Sequence, residues 1–178
     1  MWTAGLLAPW LLLVALALFA LWPGERFGLW QVVTYGFIHA NLLHLALNMF
    51  ALLTFGTLMT RVWSGKRLFA YFLFSLVGAA LCQLVYSAIV ESPYSTVGAS
   101  GGVFGILLAV AVRFPEERLL LLIPPVPIRA RYAAIIFGVA ELTFGVTGTF
   151  SGIAHFAHLG GMLFGGMLLA WWHRAARV

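Results

Sequence analysis

Long apolar stretches separated by short polar segments dominate this chain. Six of them are candidate membrane-spanning helices, because a helix needs about 20 apolar residues to cross the hydrocarbon core of a bilayer. They cover roughly residues 5–22, 36–59, 68–90, 98–113, 131–149 and 154–172. The fourth stretch is short for a full crossing, which suits a helix whose outer end is buried among other helices. The pattern predicts an all-α, multi-pass membrane protein with a single six-helix domain over residues 1–178.

Two apolar segments need a separate interpretation. The first stretch has the length of a signal peptide, but it lacks a basic beginning and an A-x-A cleavage site, so we interpret it as a span. Residues 120–125 are apolar but few and end in prolines. We therefore expect them to form an interfacial connector on the cytoplasmic side rather than a seventh span.

The few charged residues indicate how the spans are oriented. Charged residues make up 8% of the chain, against about 25% in soluble domains, which excludes an ordinary soluble protein. The basic residues follow the second, fourth and sixth stretches, and only Arg26 would lie on the other side. Because basic residues concentrate on the cytoplasmic side of a membrane, both termini are predicted to be cytoplasmic. This clustering in short breaks favours a lipid bilayer, and not a nucleic acid, as the partner.

Several kinds of chemistry are excluded by the residues that are missing. Cys82 is the only cysteine, so one chain can form neither a disulfide nor a thiolate zinc cluster. There is no aspartate, which excludes an aspartyl protease, and no H-E-x-x-H motif, which excludes the usual metalloprotease helix. We expect neither a metal nor a cofactor.

Polar residues inside the even-numbered stretches are the candidates for a site. Polar groups in hydrocarbon are costly, so they face the bundle interior or water and are functional candidates, although a single one is commonly a contact between helices. Three stretches carry them at similar depth: His39, Asn41, His44 and Asn48 in the second, Ser100 in the fourth, and His155 and His158 in the sixth.

Ser100 has the position of a nucleophile. The amides of a first helical turn lack intrahelical acceptors, so they are available to an oxyanion formed on a carbonyl that Ser100 attacks. Gly98 and Gly101 beside it allow close backbone approach. The hydroxyl still needs a base, for which imidazole is the usual group. By itself, this short motif is explained equally well by a turn of small residues.

Glycines favour His158 over His155 as that base. Gly101 follows Ser100, and Gly161 lies about one turn after His158, so two helices can approach closely there. His155 lies about 4.5 Å nearer the outer surface by helical rise. Glu141 is the only acid within a predicted span. It could orient a histidine, but we expect it to pair with another polar group or to reach the outer side, which leaves a Ser–His dyad rather than a triad.

Three segments together resemble the motifs of rhomboid intramembrane serine proteases. They are HANLLH with LNM (residues 39–44 and 47–49), GASGGVFG (98–105) and AHLGG (157–161), in the order of that family. The resemblance runs from about Trp30 to the end of the sixth stretch, and its minimal six-span form is common in prokaryotes. Two positions depart from the family pattern: Thr60 stands where a glutamate is frequent, and Gln31 where an arginine is frequent.

The resemblance implies a role for each matching residue. It implies that Ser100 is the nucleophile, that His158 is the general base, and that His44 and Asn48 lie near the oxyanion with the Ser100 amide. Phe104 would pack on the catalytic imidazole, and His39 would be mainly structural. It also implies that residues 23–34 form a partly membrane-embedded loop.

We therefore expect an intramembrane serine endopeptidase in a prokaryotic plasma membrane. Its substrates would be transmembrane segments of other membrane proteins, cut near the outer face. Two alternatives stay open: a non-catalytic rhomboid-like protein that binds membrane clients, and a small transporter or proton channel lined by histidines.

Overall fold

The computed structural model describes residues 13–120, 125–150 and 152–175, and it is mostly helical. Within these ranges, three helices are long and apolar enough to cross a membrane, and a fourth, Ser100–Arg113, is apolar but shorter. In chain order the helices are α1 (residues 13–19), α2 (Gln31–Thr34), α3 (Leu42–Thr60), α4 (Gly65–Ile89), α5 (Ser100–Arg113), α6 (Ala130–Thr147) and α7 (His155–Ala175). The three candidate spans are α3, α4 and α6. Residues 5–12 of the first predicted span lie outside the described residues.

The predicted start of the second span is wrong by several residues. Residues Tyr35–Phe37 form a 3-10 turn, and α3 begins only at Leu42. The boundary is set by Asn41, whose backbone is extended and whose side-chain oxygen accepts a 2.8 Å hydrogen bond from the His44 amide. Such a cap satisfies one of the amides that a helix start leaves without a partner. His39 and Asn41 therefore precede the helix instead of lying within it.

Helices α4, α5 and α7 pack against one another at the centre of the bundle. The approach of α5 and α7 is closest where a Cβ on Gly161 would overlap the carbonyl oxygen of Gly101. Gly165, one turn further on, faces α4 instead, where a Cβ would lie 2.5 Å from the Tyr71 hydroxyl and 3.0 Å from the Ser75 hydroxyl. Helix α3 packs on α5, and α6 packs on α7 and α5.

A small antiparallel hairpin departs from the expected all-α fold. Strands β1 (Arg118–Leu120) and β2 (Pro127–Arg129) pair between α5 and α6, with Leu119 buried. Next to it, Glu116 binds Arg129 at 2.9 Å and Arg131 at 2.6 Å. Hydrophobic periodicity could not predict these three-residue strands, because so short an apolar run is compatible with both a helix and a strand. The structure describes the flanks of the predicted connector, and residues 121–124 lie outside the described part.

The end of the bundle that carries Arg67 is stabilised by aromatic rings. The Arg67 guanidinium lies 4.3 Å from the ring centroid of Trp172 and 5.4 Å from that of Trp63, and the two indoles meet edge to face at 5.4 Å. Trp63 is buried. Thr60 stands where the family frequently has a glutamate, and its hydroxyl donates to the Thr57 carbonyl of its own helix. A cation in contact with two aromatic rings is thus present at this end of the bundle.

Gln31 organises the loop between α1 and α3. Its buried side chain accepts a 3.1 Å bond from the Trp22 amide and donates a 3.2 Å bond to the Arg26 carbonyl. The Trp30 indole donates to the Leu18 carbonyl at 2.8 Å. These hydrogen bonds connect the loop to α1 and to the residues that follow it. The neutral Gln31 therefore stabilises the loop at a position where the family often has an arginine.

Candidate active site

Ser100 is the first residue of α5, and the backbone before it is held from two sides. Gly98 donates its amide to the Tyr35 carbonyl at 2.9 Å, and Thr96 forms an isolated antiparallel bridge with Leu21. Gly98 has φ +118, a left-handed conformation that only glycine adopts readily. The sharp turn at Gly98 leads directly into the helix, so Ser100 begins α5 with its first-turn amides free of intrahelical acceptors.

His158, on α7, meets Ser100 across the close helix contact. Its Nε2 lies 2.8 Å from the Ser100 Oγ. The Phe104 ring stacks on the imidazole with centroids 4.3 Å apart and planes 3° from parallel. Because one face of the ring is covered and the side chain is buried, the imidazole has little freedom to turn away from the hydroxyl.

His44 borders the same small space as Ser100. A Cβ built on Gly98 would lie 2.8 Å from the His44 Nε2 and 3.8 Å from the Ser100 Oγ. The Ala40 amide donates to the His44 Nδ1 at 3.4 Å. A nitrogen that accepts carries no proton, so in neutral His44 the proton is on Nε2. The structure thus gives His44 a donor directed toward the space beside Gly98.

Asn48 and His39 both contact His44. Asn48 is buried, and its Nδ2 donates to the His44 carbonyl at 2.9 Å, one turn back on α3, which leaves a second N–H on the same nitrogen. His39 contacts the His44 ring edge to face at 5.2 Å. Burial and, to a smaller extent, the neighbouring His44 lower the pKa of His39. His39 therefore stays neutral in more acidic surroundings than an exposed histidine does.

Glu141 and His155 also belong to this cluster, although the sequence favoured His158 over His155 as the base and predicted a dyad without Glu141. The Glu141 Oε2 lies 2.6 Å from the His155 Nδ1 and 3.0 Å from the His158 Nδ1. The second ring nitrogen of His155 lies 3.0 Å from the Thr149 carbonyl oxygen. The only available signal was that Glu141 is the single acid within a predicted span. Its partners lie 14 and 17 residues away in sequence, so only the packing of α6 on α7 brings them together.

Known proteins similar to this chain are rhomboids. Residues 26–175 match the model of the Rhomboid domain. The chain is 30% identical over 144 residues to the mitochondrial Rhomboid protein 1 of Saccharomyces cerevisiae, covering 80% of this chain and 41% of that protein. It is 33% identical over 156 residues to the chloroplastic Rhomboid-like protein 11 of Arabidopsis thaliana, covering 83% of this chain and 54% of the relative.

A third relative is the mitochondrial Presenilin-associated rhomboid-like protein of Rattus norvegicus, which is 30% identical over 137 residues, 77% of this chain and 36% of the relative. The chain thus spans roughly half or less of these proteins. All three are named for organelles, so the comparisons do not support the minimal prokaryotic type or the prokaryotic plasma membrane that we expected. With a domain match over most of its length, the chain belongs to the rhomboid family.

Proposed function

We propose that this protein is an intramembrane serine endopeptidase in which Ser100 and His158 carry out the chemistry. The observation that carries the proposal is the 2.8 Å contact between the Ser100 Oγ and the His158 Nε2 at the start of α5, inside a rhomboid domain. A nucleophile and a base within hydrogen-bond reach are the minimum for covalent acyl transfer. No feature of the described site favours the client-binding or transporter alternatives over this one.

The proposed reaction has two halves. Ser100 Oγ attacks the scissile carbonyl carbon while its proton passes to the His158 Nε2, and the carbonyl oxygen becomes an oxyanion. When the C–N bond breaks, His158 returns that proton to the leaving amine, and an acyl ester remains on Ser100. Water then attacks the ester and gives a proton to His158, and His158 passes that proton to the Ser100 Oγ as the C–O bond breaks and the new carboxyl end leaves.

Three donors can stabilise the oxyanion. The Ser100 amide is free because it opens the helix, the His44 Nε2–H faces the space beside Gly98, and Asn48 keeps one amide hydrogen. Donors fixed before the reaction are effective because they need no rearrangement as charge develops. We assign Phe104 to holding the imidazole, and Gly98, Gly101 and Gly161 to the close backbone packing. His39 supports His44.

The proposed substrate class depends on the topology that the sequence predicts. With six spans and both termini in the cytoplasm, the start of α5 lies toward the outer face. A substrate would be a transmembrane segment that unwinds locally, because a helical peptide bond is shielded by its own hydrogen bonds. Water must reach Ser100 from outside. We propose that this membrane is a prokaryotic plasma membrane. The named relatives suggest a mitochondrial or chloroplast membrane instead. Fractionation of the source cells, with detection of the protein in each membrane, distinguishes the two locations.

A serine-directed fluorophosphonate probe tests the proposal together with a model transmembrane substrate. Wild type should be labelled at Ser100 and should cleave the substrate, and Ser100→Ala should lose both without a change in melting temperature. Labelling should also require His158. A folded protein that is neither labelled nor active would contradict the proposal and favour a client-binding protein. Cleavage by Ser100→Ala at the wild-type rate would show that another group is the nucleophile.

A further inference from the structure

The hydrogen bonds of His155 show how the protons around Glu141 are arranged. The His155 Nε2 contacts the Thr149 carbonyl oxygen, which can only accept, so Nε2 carries a proton. The His155 Nδ1 lies 2.6 Å from the Glu141 Oε2. One proton lies between these two atoms. It is on Nδ1 if His155 is an imidazolium beside a carboxylate, and on Oε2 if His155 is neutral beside a carboxylic acid. In either arrangement Oε2 keeps a lone pair for a second donor.

His158 has the donor that fits this lone pair. When the Ser100 hydroxyl donates to the His158 Nε2, the neutral ring must carry its proton on Nδ1. That nitrogen is buried, lies 3.0 Å from the Glu141 Oε2 and has no well-aligned hydrogen-bond partner within the described residues. Catalytic hydrogen bonds are often poorly aligned without substrate and tighten in the complex.

We propose that Glu141 is a positioning residue that completes a Ser100–His158–Glu141 arrangement, with His155 holding the carboxyl group in place. The inference rests on the proposed function of Ser100 and His158. Glu141 would accept from the His158 Nδ1–H, which keeps the lone pair of Nε2 directed at Ser100 and stabilises the imidazolium that forms during attack. His155 is the second ligand of the same oxygen and is buried, so it limits the movement of the Glu141 side chain.

The geometry also explains why one carboxyl group meets two histidines. Glu141 comes from α6, whereas His155 and His158 lie one turn apart on α7, so the acid bridges the two helices. A half-buried carboxyl group in an apolar bundle needs several partners to offset its lost hydration. The contact with His155 supplies one, and the orphaned Nδ1 of His158 supplies the other.

Glu141→Gln tests the inference, with Thr143→Val as the matched control. The glutamine keeps the size of the side chain and removes the carboxylate. The valine removes a hydroxyl from the same helix that donates to the Val139 carbonyl one turn back. We expect Glu141→Gln to lower kcat on the order of 10²-fold with KM nearly unchanged, less than the roughly 10⁴-fold loss when the acid of a soluble triad becomes an amide. Thr143→Val should stay within threefold of wild type.

A merely structural Glu141 would give a different result. If Glu141 only stabilises the fold, Glu141→Gln should have a lower melting temperature, while its folded fraction cleaves substrate and reacts with the fluorophosphonate at the wild-type rate. That outcome would overturn the inference. So would inactivation of wild type by a zinc chelator with rescue by zinc, because Glu141 and the two histidines would then be metal ligands. In the described residues, however, no group of such side chains is arranged to hold a metal.

A second measurement keeps the test valid if Glu141→Gln does not fold. Wild type is labelled with ¹⁵N at histidine, and the His158 signals are assigned by their loss in the His158→Ala spectrum. The ¹⁵N NMR spectrum should show the proton of the neutral His158 ring on Nδ1. A proton on Nε2 would overturn the inference. The measurement also separates the two proposals: if wild type is inactive, the proposed function fails, while the tautomer of His158 still shows whether Glu141 accepts from it.

Discussion

Replacing Gly161 by alanine should separate the two residues of the site without touching either of them. A Cβ at this position would overlap the Gly101 carbonyl oxygen and lie 2.7 Å from its carbonyl carbon. Both atoms are backbone, so no side chain can rotate away and the helices themselves must move. Gly101 follows Ser100 directly, and Gly161 lies about one turn after His158, so the displacement acts on the site itself.

The size of the effect follows from the contact between Oγ and Nε2. That distance is 2.8 Å, and a hydrogen bond is lost beyond about 3.5 Å, so a separation of roughly 0.7 Å is sufficient. Misplacing reacting groups by about 1 Å can cost on the order of 10² in rate. Overpacking costs about 1–3 kcal/mol of stability, of which the better helix propensity of alanine recovers at most about 1 kcal/mol.

The assay is the rate of fluorophosphonate labelling at Ser100, with the melting temperature measured on the same preparation. Gly166→Ala is the control on the same helix, because its Cβ would meet only the tip of Leu108 at 3.2 Å. We expect Gly161→Ala to label on the order of 10²-fold more slowly and to melt at a lower temperature than Gly166→Ala. Equal labelling and equal melting of the two variants would show that α5 and α7 do not pack as described.

Three further predictions concern single side chains. His158→Ala should be as damaging as loss of Ser100, because a nucleophile and its base act as a unit, whereas His155→Ala should retain measurable cleavage; the reverse order in a kinetic assay would mean that the base is misassigned. Asn48→Ala should lower kcat by up to about 10² with little change in KM, since the Ser100 amide and His44 remain; normal kcat in a destabilised protein would reduce Asn48 to a helix contact. Arg67→Ala should lower the melting temperature by removing a cation in contact with two indoles and leave cleavage unchanged; unaltered melting would show that this stacking contributes nothing.

The sequence predicts the main helices because apolar runs of sufficient length have few alternatives in a membrane. It predicts their ends less well. The start of α3 depends on the extended backbone of Asn41, and apolar residues 36–38 before it gave no sign of a break in the helix. The hairpin was missed for a related reason, since Leu119 is a single buried residue in a three-residue strand.

For the candidate site, the limit of prediction is the long-range packing. Ser100, His158, His44 and Asn48 stand out as polar residues within apolar stretches, and their proposed roles remain to be tested. The meeting of Glu141 with His155 and His158 could not be predicted, because it depends on how α6 rotates about its axis when it packs on α7. The charge of Glu141 made it conspicuous, but only the three-dimensional arrangement gives it neighbours.

The short length of α5 links the site to the thickness of the bilayer. Its 14 residues rise about 21 Å, whereas the hydrocarbon core is about 30 Å thick. In the proposed topology, with Arg113 at the inner headgroups, Ser100 lies several ångströms below the outer ones, in a layer that α5 itself does not span. Most of α5 is buried by its neighbours, so the lipids meet the helices around it, which tilt or thin the bilayer to match its thickness. Acyl-chain length should therefore alter the depth at which Ser100 meets water, and with it the position along a substrate segment at which cleavage occurs.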